Sequence, residues 1–240
     1  MFRSAWPGSS SVAELIVAFD LPSGREALDL AARLPDLRWV KIGPMLHVRE
    51  GPALVREFTA RGVRVFLDLK WHDIPSVVAG AVEAARAQGV AMATVHTMGG
   101  PAVLAAAAQA AGAVALLGVT VLTSHSAGDF ERVVGRGVPD LGFEAERLGR
   151  LAVAAGLRGV VASGHELALL RAALGPEPWI VVPGVRAPGD AADDQARTIA
   201  AADAVRGGAT HLVVGRPITR AADPRGVYQR LVESLRCGSA

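Results

Sequence analysis

The feature that most constrains the fold is an eightfold alternation of apolar, strand-like runs with segments of helical character. The apolar runs are ELIVAFD (14–20), RWVKIG (38–43), VRVFLDLK (63–70), AMATVH (91–96), VALLGVTVL (114–122), RGVVAS (158–163), WIVVPG (179–184) and HLVVG (211–215). Near-continuous Val, Ile and Leu runs are typical of parallel strands that are covered on both faces. The chain has 240 residues, and a (β/α)₈ barrel, or TIM barrel, has about 250. We therefore predict an α/β protein with one such barrel domain over residues 14–240, after a short N-terminal lead-in over 1–13.

Two of the intervening segments carry helix-boundary signals. Ser23 with Glu26 three residues later forms a capping-box pattern, and Pro75 suits the first turn of a helix that stops at Gly89. A doubly wound open sheet has the same alternation and is the alternative fold. No G-x-G-x-x-G follows the first strand, which weakens the dinucleotide-binding version of that alternative. The longest connection, residues 123–142, is expected after the fifth strand.

Composition excludes several classes of protein. The chain is 51% hydrophobic and 20% charged, which is enough apolar content for a core and argues against disorder. No apolar run reaches the roughly 18 to 20 residues that cross a bilayer, and the start, MFRSAWPGSSS, lacks the apolar region of a secretory signal. One cysteine, Cys237, cannot build a disulfide framework or a thiolate metal site, so a cytoplasmic protein is expected. A net charge of +2 without a basic stripe argues against nucleic-acid binding.

The lysine content is unusually low. Of 25 basic residues only Lys41 and Lys70 are lysines, and the chain has no asparagine. A GC-rich genome would convert generic surface lysines to arginine, so the two that remain mark positions where a guanidinium cannot replace an ammonium. An ammonium is a compact charge that can release a proton, whereas a guanidinium is planar and effectively always charged.

Polar residues gather where the predicted strands end, which is where barrels of this type carry their functional groups. These residues are Asp20, Lys41, Asp68, Lys70, Asp73, His96, Thr123, Ser124, Ser163, Arg186, Gly215 and Arg216. Strand alternation places Asp68 and Lys70 on one face, towards the barrel mouth, and Lys41 on the adjacent strand can reach the same space. The histidines show no H-E-x-x-H spacing or other metal pattern, so we expect no metal site.

The charges at the mouth have two interpretations. They could form salt bridges that close the barrel, but a closed ion network contributes little to stability. Alternatively they form a catalytic array. Neighbouring carboxylates keep a lysine protonated, which suits a general acid or an electrostatic clamp and argues against a Schiff-base nucleophile, because that nucleophile needs a lowered pKa.

A phosphate site is predicted at the loops after the seventh and eighth strands, where barrels commonly bind phosphate. Gly215 would let the backbone approach the anion, and Arg216 would supply a bidentate cation. Arg186 lies in the Gly- and Pro-bordered loop PGVRAPGD and could fold over the ligand, with Gln195 as an uncharged donor nearby.

The motifs VAFD, VKIG, DLKWHDIP, VTVLTS, PGVR and VVGRPI, in this order and spacing, resemble the orotidine 5′-phosphate decarboxylase family. The resemblance runs over residues 14–233. It implies a homodimer that converts orotidine monophosphate to uridine monophosphate and carbon dioxide without a cofactor.

The resemblance also implies roles for individual residues. Lys41, Asp68, Lys70 and Asp73 would form the charged catalytic array, with Lys70 as proton donor and Asp73 reaching into the partner subunit's site. Asp20 and Lys41 would hold the ribose hydroxyls, Thr123 and Ser124 would face the pyrimidine, Ile74 would be a further substrate-binding residue, and Arg186, Gln195, Gly215 and Arg216 would hold the phosphate.

The chain departs from the family pattern after the array. DIPSVV has Ser76 and Val77 where the family usually has Asn and Thr, and Val77 cannot make the cross-subunit hydroxyl contact to ribose; a modest loss of affinity is expected. Two alternatives stay open. One is a Mg²⁺-dependent sugar-phosphate decarboxylase or hexulose-phosphate synthase of the same barrel group, which carries glutamate where this chain has Lys41. The other is a non-catalytic barrel that binds phosphate ligands.

Overall fold

A computed structural model of the protein describes residues 13–186 and 199–237, and it contains a closed barrel of parallel strands. The barrel strands are β1 (Glu14–Ala18), β2 (Trp39–Ile42), β3 (Arg64–Trp71), β4 (Met92–His96), β5 (Ala115–Val119), β6 (Gly159–Val161), β7 (Trp179–Val182) and β10 (His211–Val214). Two further strands, β8 (Val185–Arg186) and β9 (Ile199–Ala200), pair as a separate ribbon. The first and last barrel strands close the cylinder, with Glu14 opposite His211. The predicted (β/α)₈ barrel is therefore confirmed, and the open sheet is excluded.

Helices follow the strands in the expected alternation. They are α1 (Gly24–Arg33), α2 (Pro44–Ala60), α3 (Pro75–Ala87), α4 (Gly100–Ala110), α5 (Ala127–Val134), α6 (Leu141–Ala154), α7 (Leu167–Leu174), α8 (Ala201–Arg206), α9 (Arg216–Thr219) and α10 (Pro224–Cys237). Ser23 caps α1 by accepting the Glu26 amide at 3.2 Å, and Pro75 opens α3, as predicted. The long connection after β5 contains α5, which begins at a capping box formed by Ser126 and Asp129.

The barrel interior is filled by apolar side chains from seven of the eight barrel strands. This inner core consists of Ile16, Ala18, Trp39, Phe66, Met92, Ala115, Leu117, Val181 and Val213. A larger core lies between the strands and the surrounding helices. No helix in the two described parts of the chain is long and apolar enough to cross a lipid bilayer.

The amino-terminal end of the barrel is closed by aromatic and charged side chains from the first residues of the strands. His211, 4% exposed, packs against the rings of Trp39 and Trp179 with centroids 5.6 and 4.6 Å away. Glu14 accepts hydrogen bonds from the Trp39 indole and from Arg64. Burial lowers the pKa of His211 from 6.5 to about 4; Glu14 raises this pKa, and the nearby arginines lower it further. These packed side chains fill the amino-terminal end of the barrel interior.

Candidate active site

A cavity of about 870 Å³ opens at the carboxyl-terminal end of the barrel. Its polar lining includes Asp20, Lys41, Asp68, Lys70, Thr123, Gly215 and Arg216. These residues are separated in sequence by almost 200 positions, and they meet because the carboxyl ends of parallel barrel strands share one rim. The structure thus brings together at one cavity most of the residues that the sequence pattern indicated.

Three of the charged residues at the rim form a continuous chain across adjacent strands, and a fourth joins it from the loop after β1. The Lys41 ammonium lies 3.0 Å from Asp20 Oδ1 and 3.8 Å from Asp68 Oδ2. The Lys70 ammonium lies 2.9 Å from the same Asp68 oxygen. Asp68 therefore sits between two ammonium groups, and its side chain is only 13% exposed.

The two lysines differ in their access to the cavity. The Lys41 side chain is 11% exposed and the Lys70 side chain is 34% exposed. Lys70 is thus the ammonium with more open space beside it, and Lys41 is held between two carboxylates. An open, hydrogen-bonded ammonium beside a cavity is suited to giving a proton to a bound molecule.

The strand that carries Asp68 and Lys70 is irregular at these residues. Leu67 lies opposite Ala93 and Trp71 lies opposite Val95, so three residues of β3 face one residue of β4. Lys70 has φ 51°, which is a left-handed backbone conformation that residues other than Gly, Asn and Asp adopt rarely. Asp68 and Lys70 share the mouth, as predicted, but they meet through a bulge and not through regular alternation.

Two residues that contact the array were missed by sequence reasoning. Thr94 is fully buried on β4, and its hydroxyl accepts the Lys70 backbone N–H at 2.9 Å and donates to Asp68 Oδ1 at 3.0 Å. A Cβ added at Gly43 would lie 3.0 Å from an Asp20 oxygen and 3.2 Å from the Lys41 nitrogen. Gly43 was visible as the last residue of the VKIG motif, whereas threonine inside a strand gives no signal of function.

Asp73, Ile74 and Ser124 lie outside the lining of this cavity in the single chain. Asp73 is exposed, and its carboxylate accepts the Ile74 backbone N–H at 2.6 Å. Among the described residues Asp73 forms no ion pair with either lysine. The Ile74 side chain is 61% exposed. In the single chain these residues therefore lie at an outer rim, outside the lining of the cavity.

The predicted phosphate side is partly described. Gly215 and Arg216 line the same cavity, between β10 and the start of α9. The backbone of Arg186 belongs to the β8–β9 ribbon. The Arg186 side chain and Gln195 lie outside the described part of the structure.

His96, at the end of β4, lies near the array in a partly buried position. His96 stacks on His72 with ring centroids 5.5 Å apart. Burial lowers the pKa of His96 to about 4, and the charges of His72, Lys70 and His125 lower it further. Its Nδ1 accepts the Met98 backbone N–H at 3.3 Å. His96 is thus an uncharged hydrogen-bonding residue at neutral pH. Within the described ranges no group of three or more His, Cys, Asp or Glu side chains could hold a metal ion.

Comparison with known proteins places this site in a family. The family model for orotidine 5′-phosphate decarboxylase / HUMPS matches residues 13–231. The chain belongs to that family.

Curated relatives within the orotidine 5′-phosphate decarboxylase / HUMPS family are similar over almost their whole length. An orotidine 5′-phosphate decarboxylase of Alkalilimnicola ehrlichii is 48% identical over 230 residues, which cover 94% of this chain and 97% of the relative. One of Halorhodospira halophila is 49% identical over 216 residues, which cover 88% and 90%. The crystal structure of orotidine 5′-phosphate decarboxylase from Lactobacillus acidophilus superposes with a TM-score of 0.83 at 30% identity and covers 93% of this chain and 99% of that one.

Proposed function

We propose that this family member converts orotidine 5′-monophosphate to uridine 5′-monophosphate and carbon dioxide, the last step in making uridine monophosphate, in the cytoplasm. The observation that carries the proposal is the Lys70 ammonium, 2.9 Å from Asp68, beside a cavity that Arg216 also lines. The array thus faces the same space as the predicted phosphate site. The cavity of about 870 Å³ is within the range of roughly 300 to 1,000 Å³ that small-molecule sites occupy.

Lys70 is the proton donor in this mechanism. When the bond between C6 and the carboxylate breaks, the electron pair stays on C6 in the plane of the ring, and no conjugated group can accept it. A fixed ammonium aimed at C6 stabilises that developing charge and then transfers a proton to it. Carbon dioxide leaves, and the lysine is left as a neutral amine that regains a proton from water.

Asp68 and Lys41 prepare Lys70 for this step. Asp68 anchors the ammonium, and its charge lies close to the substrate carboxylate, which disfavours the ground state. Lys41, at 3.8 Å, partly compensates the charge of Asp68. All of the charge that the step needs comes from side chains, so the mechanism needs neither a metal nor another cofactor.

Binding groups distant from C6 position the ring. Asp20 and Lys41 would hold the ribose hydroxyls, and Thr123, with Ser124 and Ile74 at the outer rim, would face the pyrimidine. Gly215 and Arg216, with Arg186 and Gln195, would bind the phosphate. Binding energy from the phosphate, which does not react, can be used to orient C6 towards Lys70.

We further propose a homodimer in which Asp73 completes the partner subunit's array. Large apolar side chains are exposed on Ile74 and Val77, which follow Asp73 in the sequence, and on segments after the neighbouring strands: Met45 and Val48 on α2 and Met98 after β4. Exposed large apolar side chains are typical of protein–protein interfaces. The exposed position of Asp73, next to two of these residues in the sequence, supports a role across the interface and not within its own chain.

Subunit complementation tests the shared site. Asp73→Ala and Lys70→Ala are each expected to be inactive, but a mixed dimer would have one intact site, so a refolded equal mixture should recover roughly a quarter of wild-type activity. No recovery, in a mixture shown to contain mixed dimers, would mean that Asp73 acts within its own chain.

The activity itself is tested by the loss of orotidine monophosphate absorbance with purified protein, with and without a chelator. Wild type should be active and insensitive to the chelator, and Lys70→Ala should be nearly inactive. Dependence on Mg²⁺ would favour the sugar-phosphate group of barrels, in which glutamate occupies the Lys41 position. Uridine monophosphate binding without any turnover would favour a non-catalytic barrel.

A further inference from the structure

Thr94 occupies the one position on β4 that faces the irregular part of β3. Between the pairs Leu67–Ala93 and Trp71–Val95, Thr94 alone lies opposite the three residues from Asp68 to Lys70. The backbone of one residue cannot supply the hydrogen bonds that three residues would make in a regular parallel ladder. The Thr94 side chain supplies one of the missing partners, because its hydroxyl accepts the Lys70 backbone N–H.

A single hydroxyl group of Thr94 bonds to both ends of this bulge. Thr94 Oγ1 accepts the backbone N–H of Lys70 at 2.9 Å and donates its proton to Asp68 Oδ1 at 3.0 Å. The other Asp68 oxygen faces the two ammonium groups. The hydroxyl therefore fixes the direction of the Asp68 carboxylate and holds the left-handed backbone from which the Lys70 side chain leaves.

We propose that Thr94 is a positioning residue for the catalytic array. This inference rests on the proposed function, because it assigns to Thr94 the placement of the Lys70 ammonium over the reacting carbon. Thr94 is 0% exposed and does not line the cavity, so it acts on the substrate only through Asp68 and Lys70. The inference predicts an effect on turnover with little effect on binding.

The chain offers a matched control for a purely structural role. Thr97 is also 0% exposed, and its hydroxyl donates to the Val119 carbonyl at 2.6 Å. Thr97→Val therefore removes a buried hydroxyl and its hydrogen bond to a backbone carbonyl, whereas Thr94→Val removes a buried hydroxyl and both of its bonds to the array. Thr94→Ser keeps the hydroxyl and removes only a methyl group.

The experiment measures kcat and KM for orotidine monophosphate at a temperature where every variant is folded. We expect Thr94→Val to lower kcat by about 10- to 100-fold, because an error of about 1 Å in placing a catalytic group can cost a hundredfold, and to change KM by less than about threefold. Thr94→Ser should restore most of kcat, and Thr97→Val should keep it. Equal kcat for the two valine variants, or a serine variant as slow as the valine variant, would overturn the proposal.

A second measurement does not depend on activity. Because the chain has only two lysines, protein labelled with ¹⁵N-lysine gives two side-chain signals, which Lys41→Arg and Lys70→Arg assign. Thr94→Val should shift or broaden the Lys70 signal, and Thr97→Val should leave both signals in place. An unchanged Lys70 signal in Thr94→Val would refute the positioning role. If wild type is inactive but Thr94→Val still shifts the Lys70 signal, the proposed reaction would be refuted and the positioning role would stand.

Discussion

The backbone of Lys70 is strained, and removing the side chain in two different ways measures that strain. Lys70 has φ 51°, a conformation that costs an L-residue with a Cβ roughly 1–2 kcal/mol and costs glycine almost nothing. Lys70→Ala removes the ammonium but keeps the strain. Lys70→Gly removes both, at the expense of greater freedom in the unfolded chain.

The expected difference follows from these two opposing contributions. Both variants lose the same ion pair with Asp68, so that loss cancels when they are compared. Relief of the left-handed strain favours glycine by roughly 1–2 kcal/mol, and the unfolded-state entropy of glycine offsets about 0.5–1 kcal/mol of it. We therefore expect Lys70→Gly to be more stable than Lys70→Ala by about 0.5–1 kcal/mol.

Lys41 provides the matched control, because it has the ordinary extended conformation of β2. At that site only the entropy of glycine matters, so Lys41→Gly should be less stable than Lys41→Ala by about 0.5–1 kcal/mol. The order of the two substitutions should thus reverse between the two lysines. Both Lys70 variants should lose activity equally, by at least roughly a hundredfold, because neither carries an ammonium.

Urea unfolding without ligand, at one protein concentration for all four variants, gives the comparison; thermal unfolding should show a gap of roughly 1–4 °C for each pair. If alanine is the more stable replacement at both lysines, then Lys70 is not held in a strained conformation. The bulge would then not direct the Lys70 side chain, and the proposed placement of its ammonium over the reacting carbon would be wrong.

Three further predictions concern other parts of the molecule. Gly43→Ala should raise KM by about tenfold or more, since its Cβ would lie 3.0 and 3.2 Å from a carboxylate and an ammonium of the site, and a displacement costing about 1.4 kcal/mol in binding is tenfold; Gly128→Ala, whose Cβ meets nothing within 4 Å, should leave KM unchanged, and equal values for both would contradict the argument. His211 has a folded pKa of about 4 against 6.5, so the unfolded chain binds the proton first and stability should fall by up to about 3 kcal/mol as pH drops from 6.5 towards 4; in urea titrations across this range His211→Phe should lose that part of the slope, and an unchanged slope would show that His211 does not control it. Arg171 donates to four backbone carbonyls of two loops at the amino-terminal end of the barrel; Arg171→Lys should cost about 2 kcal/mol of unfolding free energy in urea because an ammonium cannot reproduce that fork, with kcat retained, and wild-type stability would show the contacts to be dispensable.

The general plan of the fold could be read from the sequence because its cause is local. A parallel strand covered on both faces must be apolar at nearly every position, so each barrel strand leaves a visible run. The N-cap at Ser23 was equally local and was confirmed. The helix α5 had a signal of the same kind, Ser126 followed by Asp129. The prediction of one long connection over residues 123–142 overlooked that signal.

The candidate site was only partly predictable. Lys41, Asp68 and Lys70 could be assigned to one rim because the carboxyl ends of parallel barrel strands meet at the same face of the barrel. Thr94 could not be found in this way, since a threonine in AMATVH reads as an ordinary strand residue. Its importance depends on which residues of β3 it faces, and that register is a property of two strands that are joined through a helix.

The amino-acid sequence by itself determined the order of strands and helices, the apolar barrel interior and the position of both lysines at the carboxyl-terminal rim. These properties follow from hydrophobic periodicity and from strand direction, both of which can be inferred from short segments of the sequence. Only the tertiary structure decided that Lys41 and Lys70 share one Asp68 oxygen, that Thr94 holds the bulge, and that Asp73 stays outside its own chain's cavity. Hydrogen bonds and ion pairs form over about 3 to 4 Å, and such distances between residues on different strands are set by register and packing.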